Sequence, residues 1–527
     1  MAAFPASCSW GPVDGRAVRL YSKNWILLAT ILGSSMAFID GTAVNVALPI
    51  MQRELGATFT QLQWVVVAYA LFLGSLLLVG GSLGDRFGRR RVFVVGIVVF
   101  AVASVWAGFS PDVGQLIAAR ALQGIGGALF VPGSLALIGA CFTDAERGKA
   151  IGTWSGASGL MAAAGPLLGG FLAEELSWRW VFFINIPIAV IVVVVALTRV
   201  PESGNPAAGR VDWLGGLLAT VGLGGLVYGL IESGSRGLSD PVVVASLVVG
   251  VVALAAFVFA ESRVHSPMMP LGIFRSRSFA GANVLTLFLY AGLGGALFFL
   301  PLNLVLVQGY SATAAGAALL PLIIIIGVLS RYMGGLVVRT GAKLPLVIGP
   351  AVAGVGFLLF AVPGVGGSYW TTYFPAVVAF GLGMSITVAP LVTVVMSTVD
   401  QNLSGLASGI NNAISRVASL MALAVFGMIA LALFSGALDD RLADAGVPQA
   451  VVEQLEDERV NLAGAQAPAG LAPDVTAAVE DAIDWAFVDA FRGIMLIGAL
   501  LAFASSLTAL VSIERRLAPR PQPSETA

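Results

Sequence analysis

Charge is scarce along this chain. Asp, Glu, Lys and Arg make up 11% of its 527 residues, against about 25% in soluble domains. Too few ions remain to clothe a water-facing surface, which excludes an ordinary soluble domain and a charged disordered chain alike. The formal net charge is −1, and no basic patch of the kind that neutralises phosphates occurs, so no nucleic-acid partner is expected. The single histidine, His265, excludes a histidine-built metal site, and no metal is expected. The two cysteines, Cys8 and Cys141, lie far apart and mark neither a disulfide nor a metal site. No G-x-x-x-x-G-K-S/T loop is present, so ATP is not the expected energy source. Residues 1–24 hold Arg16, Arg19 and Lys23 but no apolar stretch. They read as a cytoplasmic tail and not as a signal peptide.

Apolar sequence fills the chain instead: 58% of residues are hydrophobic and the mean hydropathy is +0.93. A membrane-crossing helix needs about 20 apolar residues. Runs of that kind occur at 25–48, 62–83, 92–110, 115–140, 150–173, 181–198, 212–231, 242–260, 279–306, 313–333, 344–362, 371–396, 405–434 and 486–512. The expected class is an all-α polytopic membrane protein with fourteen spans. An even number of crossings puts both termini on one side. Lys and Arg in short loops stay cytoplasmic, and alternate loops collect most of them, including Arg86, Arg147, Lys149, Arg199, Arg277, Lys343 and Arg515. Both termini are therefore expected in the cytoplasm. Residues 435–484 read as a long external loop, an acidic solvated surface in which 449–462 is compatible with one amphipathic helix.

The densest charge sits in one turn between the second and third runs, Gly81-Ser82-Leu83-Gly84-Asp85-Arg86-Phe87-Gly88-Arg89-Arg90-Arg91. Such a turn cannot lie in lipid, where each charge at the centre costs several kcal/mol. It belongs at a membrane surface, and its arginines make that surface the cytoplasmic one. The segment resembles the signature loop of the major facilitator superfamily, G-x-L-x-D-R-x-G-R-R, through Gly81, Gly84, Asp85, Arg86, Gly88, Arg89 and Arg90. A worn copy lies further on: Arg339-x-Gly341 echoes Arg86-x-Gly88, with Val338 where Asp85 stands. Gly148-Lys149-Ala150-Ile151-Gly152 is echoed by Gly405-Leu406-Ala407-Ser408-Gly409. Matching positions of the echoes suit two parallel six-helix halves with substrate held between them near the midplane.

Charge inside the runs is rarer still. Asp40 stands alone in the first run, within Ile39-Asp40-Gly41-Thr42-Ala43-Val44-Asn45-Val46-Ala47-Leu48-Pro49. Burial favours the neutral form of a carboxyl and a nearby cation favours the charged form, so a carboxyl there can load and release a proton as water access changes sides. The plainer alternative is a structural hydrogen bond to a neighbouring helix. Arg120 shares a helix face with Gly124, Gly127 and Ala128, a surface made for close helix contact. Its alternative is a side chain reaching for the outer headgroups. The fifth run carries a small-residue stripe and the core Gly165-Pro166-Leu167-Leu168-Gly169-Gly170. Its plain reading is close helix packing, bent where Pro166 removes a donor. Trp178-Arg179-Trp180-Val181-Phe182-Phe183-Ile184-Asn185-Ile186-Pro187 follows, with aromatics suited to an interfacial belt. These segments resemble the motifs I-D-x-T-x-V-N-V-A-L-P, R-x-x-Q-G, G-P-x-x-G-G and W-R-W-x-F-x-I-N-x-P of the fourteen-helix drug:proton antiporters, the EmrB/QacA type.

That resemblance implies a major facilitator fold divided as 1–24 tail, 25–200 six-helix bundle, 201–278 inserted helix pair with flanking loops, 279–512 six-helix bundle and 513–527 tail. It implies a non-enzymatic, proton-coupled efflux transporter of the bacterial inner membrane, with no cofactor and with the proton gradient as the driving force. Its partners are small amphipathic or toxic molecules, protons and the lipid bilayer, with any periplasmic adaptor left open. Asp40 and Arg120 carry proton coupling, the 81–90 loop gates, and Gly165, Pro166, Gly169 and Gly170 form the antiporter motif. Asn45, Trp64, Tyr69, Tyr290 and Arg416 are the candidates for a substrate cavity. The rival readings are a dedicated exporter of one metabolite, antibiotic or siderophore, and a non-transporting membrane receptor.

Overall fold

A computed structural model describes residues 23–204, 211–264, 267–399, 403–456 and 458–514. The readings of both tails, of His265 and of the Arg339 side chain lie outside what it describes. Among the described residues there is no strand, and fourteen helices are long and apolar enough to cross a membrane. They are α1 (Lys23–Leu55), α2 (Phe59–Phe87), α3 (Arg89–Gly108), α4 (Val113–Cys141), α5 (Asp144–Leu172), α6 (Asn185–Arg199), α7 (Trp213–Arg236), α8 (Pro241–Glu261), α9 (Arg277–Leu302), α10 (Leu320–Thr340), α11 (Lys343–Phe360), α12 (Tyr373–Ser397), α13 (Ser404–Asp444) and α14 (Pro473–Ser512). Short helices Trp180–Phe183 and Ala312–Ala318 lead into α6 and α10.

Local chemistry sets the ends of these helices. Thr58 and Gln61 form a reciprocal box at the start of α2: Gln61 N donates to Thr58 Oγ1 at 3.3 Å and Thr58 N to Gln61 Oε1 at 3.0 Å. Asp112, Asp212 and Asp240 accept backbone N–H groups at the starts of α4, α7 and α8. Gly88, with φ of 108°, closes α2 and opens α3 in one residue, a backbone conformation that a side chain would strain.

Two bundles result. In the first, α4 packs on α2 and α3, and α5 on α1; in the second, α11 packs on α12 and α14, and α9 on α13 and α14. Small residues let the helices touch: a Cβ added to Gly124 would lie 2.5 Å from the Tyr69 carbonyl, and one on Gly126 2.7 Å from Phe100 N. α7 and α8 pack on each other, and α7 wedges against both α2 and α13. Glu261 ties the base of this pair, accepting Met269 N at 3.0 Å, with its other oxygen beside Gly215 and Asp212.

The face carrying Arg86–Arg91 is called the arginine face here. On the opposite face the bundles meet. Gln63 Nε2 donates to Leu423 O at 2.9 Å, Gln52 Nε2 to Asn461 O at 3.2 Å, and Phe59 packs edge-on against Phe298 at 5.7 Å. Toward the arginine face α13 still meets α2, a Cβ on Gly409 lying 3.3 Å from Leu78, but the flanks of α5 and α10 open. Methyl groups added to Gly148, Gly152, Gly156 and Gly159 on α5, Gly327 on α10 or Gly405 on α13 would meet nothing within 4 Å.

Three expectations need correction. Residues 435–484 are largely helical and not a loop: α13 runs on to Asp444 and α14 already starts at Pro473. Hydropathy ends a span where acids begin, but an acidic helix persists where it has partners. Arg441 pairs with Asp489 at 2.5 Å, and both Arg441 and Arg492 lie over the Trp485 ring. The 449–462 helix breaks into Gln449–Gln454 and a 3-10 turn at Arg459–Gly464, within which Leu462 takes φ of 50° and ψ of −128° and is buried. Cys141 is disulfide-bonded, against the reading that it marks no disulfide; Cys8 lies outside the described residues.

Candidate transport site

The first bundle encloses a polar cluster built from four of its helices. Asp40 on α1 is 0% exposed and Arg120 on α4 is 1% exposed. An isolated carboxylate or guanidinium at that depth is prohibitively costly, so each needs a partner. Arg120 Nη1 pairs with Asp40 Oδ2 and also donates to Gln123 Oε1 at 2.8 Å, while its Nε donates to Val65 O at 3.0 Å. Gln123 Nε2 donates to Asp40 Oδ1 at 3.2 Å and to Ser104 Oγ at 2.8 Å. Asn185 Nδ2, at the start of α6, donates to Asp40 Oδ1 at 3.3 Å. The guanidinium lies over the Tyr69 ring, 4.4 Å from its centre, and 5.8 Å from that of Phe182.

Arg120 therefore points inward and does not reach for headgroups. Gln123, Ser104 and Asn185 were not singled out by sequence. The signal for Gln123 was available: R-x-x-Q puts both side chains on one helix face. Asn185 stood in the quoted I-N-x-P segment without a role, and Ser104 carried no usable signal, since neutral polar residues recur throughout membrane helices.

The Gly165–Gly170 segment stitches α5 to two neighbours. A Cβ on Gly165 would collide with Thr42 Oγ1, and one on Gly169 with the Ala43 backbone, both on α1. Thr42 Oγ1 donates to Ala162 O at 3.0 Å across the same contact. Gly170 abuts the Ala312 carbonyl, and Gly316 abuts the Pro166 carbonyl. The motif thus carries the contact between the bundles away from the arginine face. Glu174 completes it by accepting Thr313 N at 2.8 Å.

In the 81–91 turn, Asp85 pairs with Arg89 at 2.7 Å, one helical turn away. Sequence reasoning gave no hint of the acid that anchors the rest. Glu202, in the loop after α6, accepts Arg90 N at 3.0 Å and lies 3.6 Å from Arg91. Arg89 N donates to Ser203 O at 2.8 Å, and Arg90 Nη1 to Val200 O at 3.0 Å. A Cβ on Gly88 would sit 2.8 Å from the Glu202 carboxylate, so glycine is needed there for space as well as for φ.

The five cavity candidates scatter. Tyr69 is buried, donates to Ala37 O at 3.1 Å, and bridges the Arg120 guanidinium to the electrostatic field of Arg416. Arg416, on α13, and Tyr290, on α9, interact electrostatically. These three form one group where the bundles adjoin. Trp64 faces the inserted pair instead: its Nε1 donates to Glu232 Oε1 at 3.2 Å and its ring lies 5.9 Å from that of Tyr228. Asn45 is 8% exposed and belongs to neither group; its Oδ1 is buried without a hydrogen-bond partner. Among the described residues no His/Cys/Asp/Glu cluster has metal-holding geometry.

Two six-helix bundles with a signature turn, a buried ion pair and a gap between the bundles define a membrane transporter of the alternating-access kind. The Major Facilitator Superfamily profile matches residues 30–423, and the chain belongs to that superfamily. It is a transporter and not an enzyme. The chain is 37% identical to the puromycin resistance protein pur8 of Streptomyces alboniger over 434 residues, 81% of this chain and 85% of that one. It is 34% identical to the multidrug resistance protein Stp of Mycobacterium tuberculosis, over 81% of this chain and 79% of that one. It is 33% identical to the tetracenomycin C resistance and export protein of Streptomyces glaucescens, over 89% of this chain and 87% of that one. Among solved structures, a bacterial homolog of the human lysosomal transporter Spinster, in an inward-facing and unoccupied conformation, superposes with a TM-score of 0.62. It is 17% identical and covers 94% of this chain and 99% of that one.

Proposed function

We propose that this protein exports small amphipathic compounds across the bacterial cytoplasmic membrane in exchange for protons. The observation that carries the coupling is the enclosed Asp40–Arg120 pair. Protonation of Asp40 removes its attraction for Arg120 and frees the guanidinium, which lies over Tyr69 at the edge of the second bundle. Proton occupancy and bundle arrangement are linked in this way. The resistance and export proteins named above support efflux as the direction of transport.

The division of labour follows the geometry. Residues 25–200 and 279–512 act as the two moving bundles, and 201–278 as an inserted pair riding between them. With the arginine face cytoplasmic and both termini inside, the opening along α5 and α10 is the inward-facing state. The 81–91 turn then gates the cytoplasmic side, and the Gly165–Gly170 contact seals the external side. The test is efflux in energised inverted vesicles against cationic, neutral and anionic amphipaths. Transport of at least one class that collapses with a protonophore is expected. Protonophore-insensitive transport, or none, contradicts the reading.

A further inference from the structure

Six of the buried or half-buried arginines among the described residues meet a carboxylate. Arg120 has Asp40, Arg89 has Asp85, Arg90 has Glu202, Arg441 and Arg492 share Asp489, and Arg459 has Asp439. Among the described residues no carboxylate pairs with Arg416. Two neutral phenols, Tyr69 from α2 and Tyr290 from α9, lie in its neighbourhood. Its Cβ lies 3.5 Å from where a Cβ on Gly74 would be, so α13 rests directly on α2 here and the side chain stands at the seam of the two bundles.

Position and exposure make this more than an orphan charge. Arg416 lies twelve residues into α13 and Tyr290 thirteen residues into α9, about 18–20 Å of helix at 1.5 Å per residue, which is mid-depth in a bilayer. Arg416 is nevertheless partly exposed, and its nitrogens are not among the buried atoms lacking a partner. The other charges at this level, Asp40 and Arg120, are closed off inside the first bundle and neutralise each other. The seam therefore presents one net positive charge, a forked donor with Tyr69 and Tyr290 in its neighbourhood.

We propose that Arg416 is a substrate-recognition residue and that the transported class is amphipathic organic acids: aromatic molecules carrying a carboxylate, sulfonate or ionised phenol, rather than lipophilic cations. This rests on the efflux reading and deepens it. A guanidinium in a seam of low dielectric repels a cation and needs an anion to complete its hydrogen bonds. Its planar fork takes a carboxylate or sulfonate two oxygens at a time, and the half-buried Tyr290 gives the attached ring system apolar surface to lie on. Tyr69 touches Arg120 as well, so an acid bound at Arg416 reports to the proton site through a single ring.

One scaffold in three charge states tests this by equilibrium binding to the purified full chain in nanodiscs: fluorescein, its methyl ether methyl ester, which has no ionisable group left, and rhodamine 6G. Wild type is expected to bind fluorescein more tightly than rhodamine 6G. Arg416→Gln should weaken fluorescein binding about tenfold or more, the scale of a charge-assisted hydrogen bond, and leave the ester within about twofold. Arg416→Lys should fall between the two, keeping charge and losing the fork. Retained ester binding shows that each variant is folded. Tighter binding of the cation by wild type, no fluorescein binding, or an unchanged charge preference in Arg416→Gln each overturns the proposal. Charge-selective binding without protonophore-sensitive efflux instead overturns the transport reading and leaves the recognition site standing.

Discussion

At the scale of single residues the protein concentrates its polar chemistry in a few sealed places. Arg120 makes three kinds of contact at once: an ion pair, a bond to a main-chain carbonyl and a face-on contact with Tyr69. Lysine supplies one charge and no fork, so Arg120→Lys should retain the fold but only a minor part of proton-coupled transport. Arg120→Ala leaves Asp40 buried without a cation, a loss of about 3–5 kcal/mol. It should lower the thermal unfolding midpoint in detergent, and adding Asp40→Asn should restore most of that loss by removing the stranded charge. Equal destabilisation in the single and double variants would show that the two side chains are not coupled. Asp40 and Arg120 were legible in the sequence because an ionised residue among apolar neighbours must have a reason to be there. Their companions Ser104 and Asn185 were not, because their contacts join segments far apart in sequence and their side chains are neutral.

At the scale of helices, contacts between backbones decide what can move. Gly170 and Gly316 let α5 and the Ala312–Ala318 turn touch with no side chain between them. Gly170→Val fills that contact, and a penalty of about 1.4 kcal/mol shifts a two-state balance tenfold. The variant should favour the state in which the external contact is broken. A reporter on the open flank of α5, Gly156→Cys, should then react more slowly with a membrane-impermeant thiol reagent from the arginine face. Unchanged labelling would mean that this contact does not hold the closure. The signature turn gives a second prediction. Glu202 joins the start of α3 to the chain leaving α6, so Glu202→Gln should slow turnover severalfold while leaving substrate affinity intact; a loss of affinity alone would remove Glu202 from the gate. Sequence placed the glycines of both motifs well, since close approach has a fixed spacing along a helix. It gave no hint of Glu202, and it ended α13 early and started α14 late, because acidic helical turns held by Arg441, Arg492 and Trp485 look like loop to any hydropathy reading.

At the scale of the whole molecule, two bundles share one seam that is closed at one end and open at the other. The closed end is made of direct contacts: Gln63 to the Leu423 carbonyl, Gln52 to the Asn461 carbonyl, and glycine against carbonyl at Gly170 and Gly316. The open end has the empty flanks of α5, α10 and α13. The Asp40–Arg120 pair, our proposed proton site, lies inside one bundle and Arg416 lies on the seam, so the two are distinct places, with Tyr69 against the first. Exchange follows if only one of proton and substrate is held strongly at a time, since each binding event shifts an equilibrium that the other also shifts. The most direct measurement of that claim is proton release on substrate binding, read with a pH indicator in weakly buffered detergent solution without any membrane gradient. Wild type should release protons in proportion to the substrate bound, and Asp40→Asn should bind substrate while releasing none. Equal release by both proteins, or substrate binding by wild type with no release, would contradict the account.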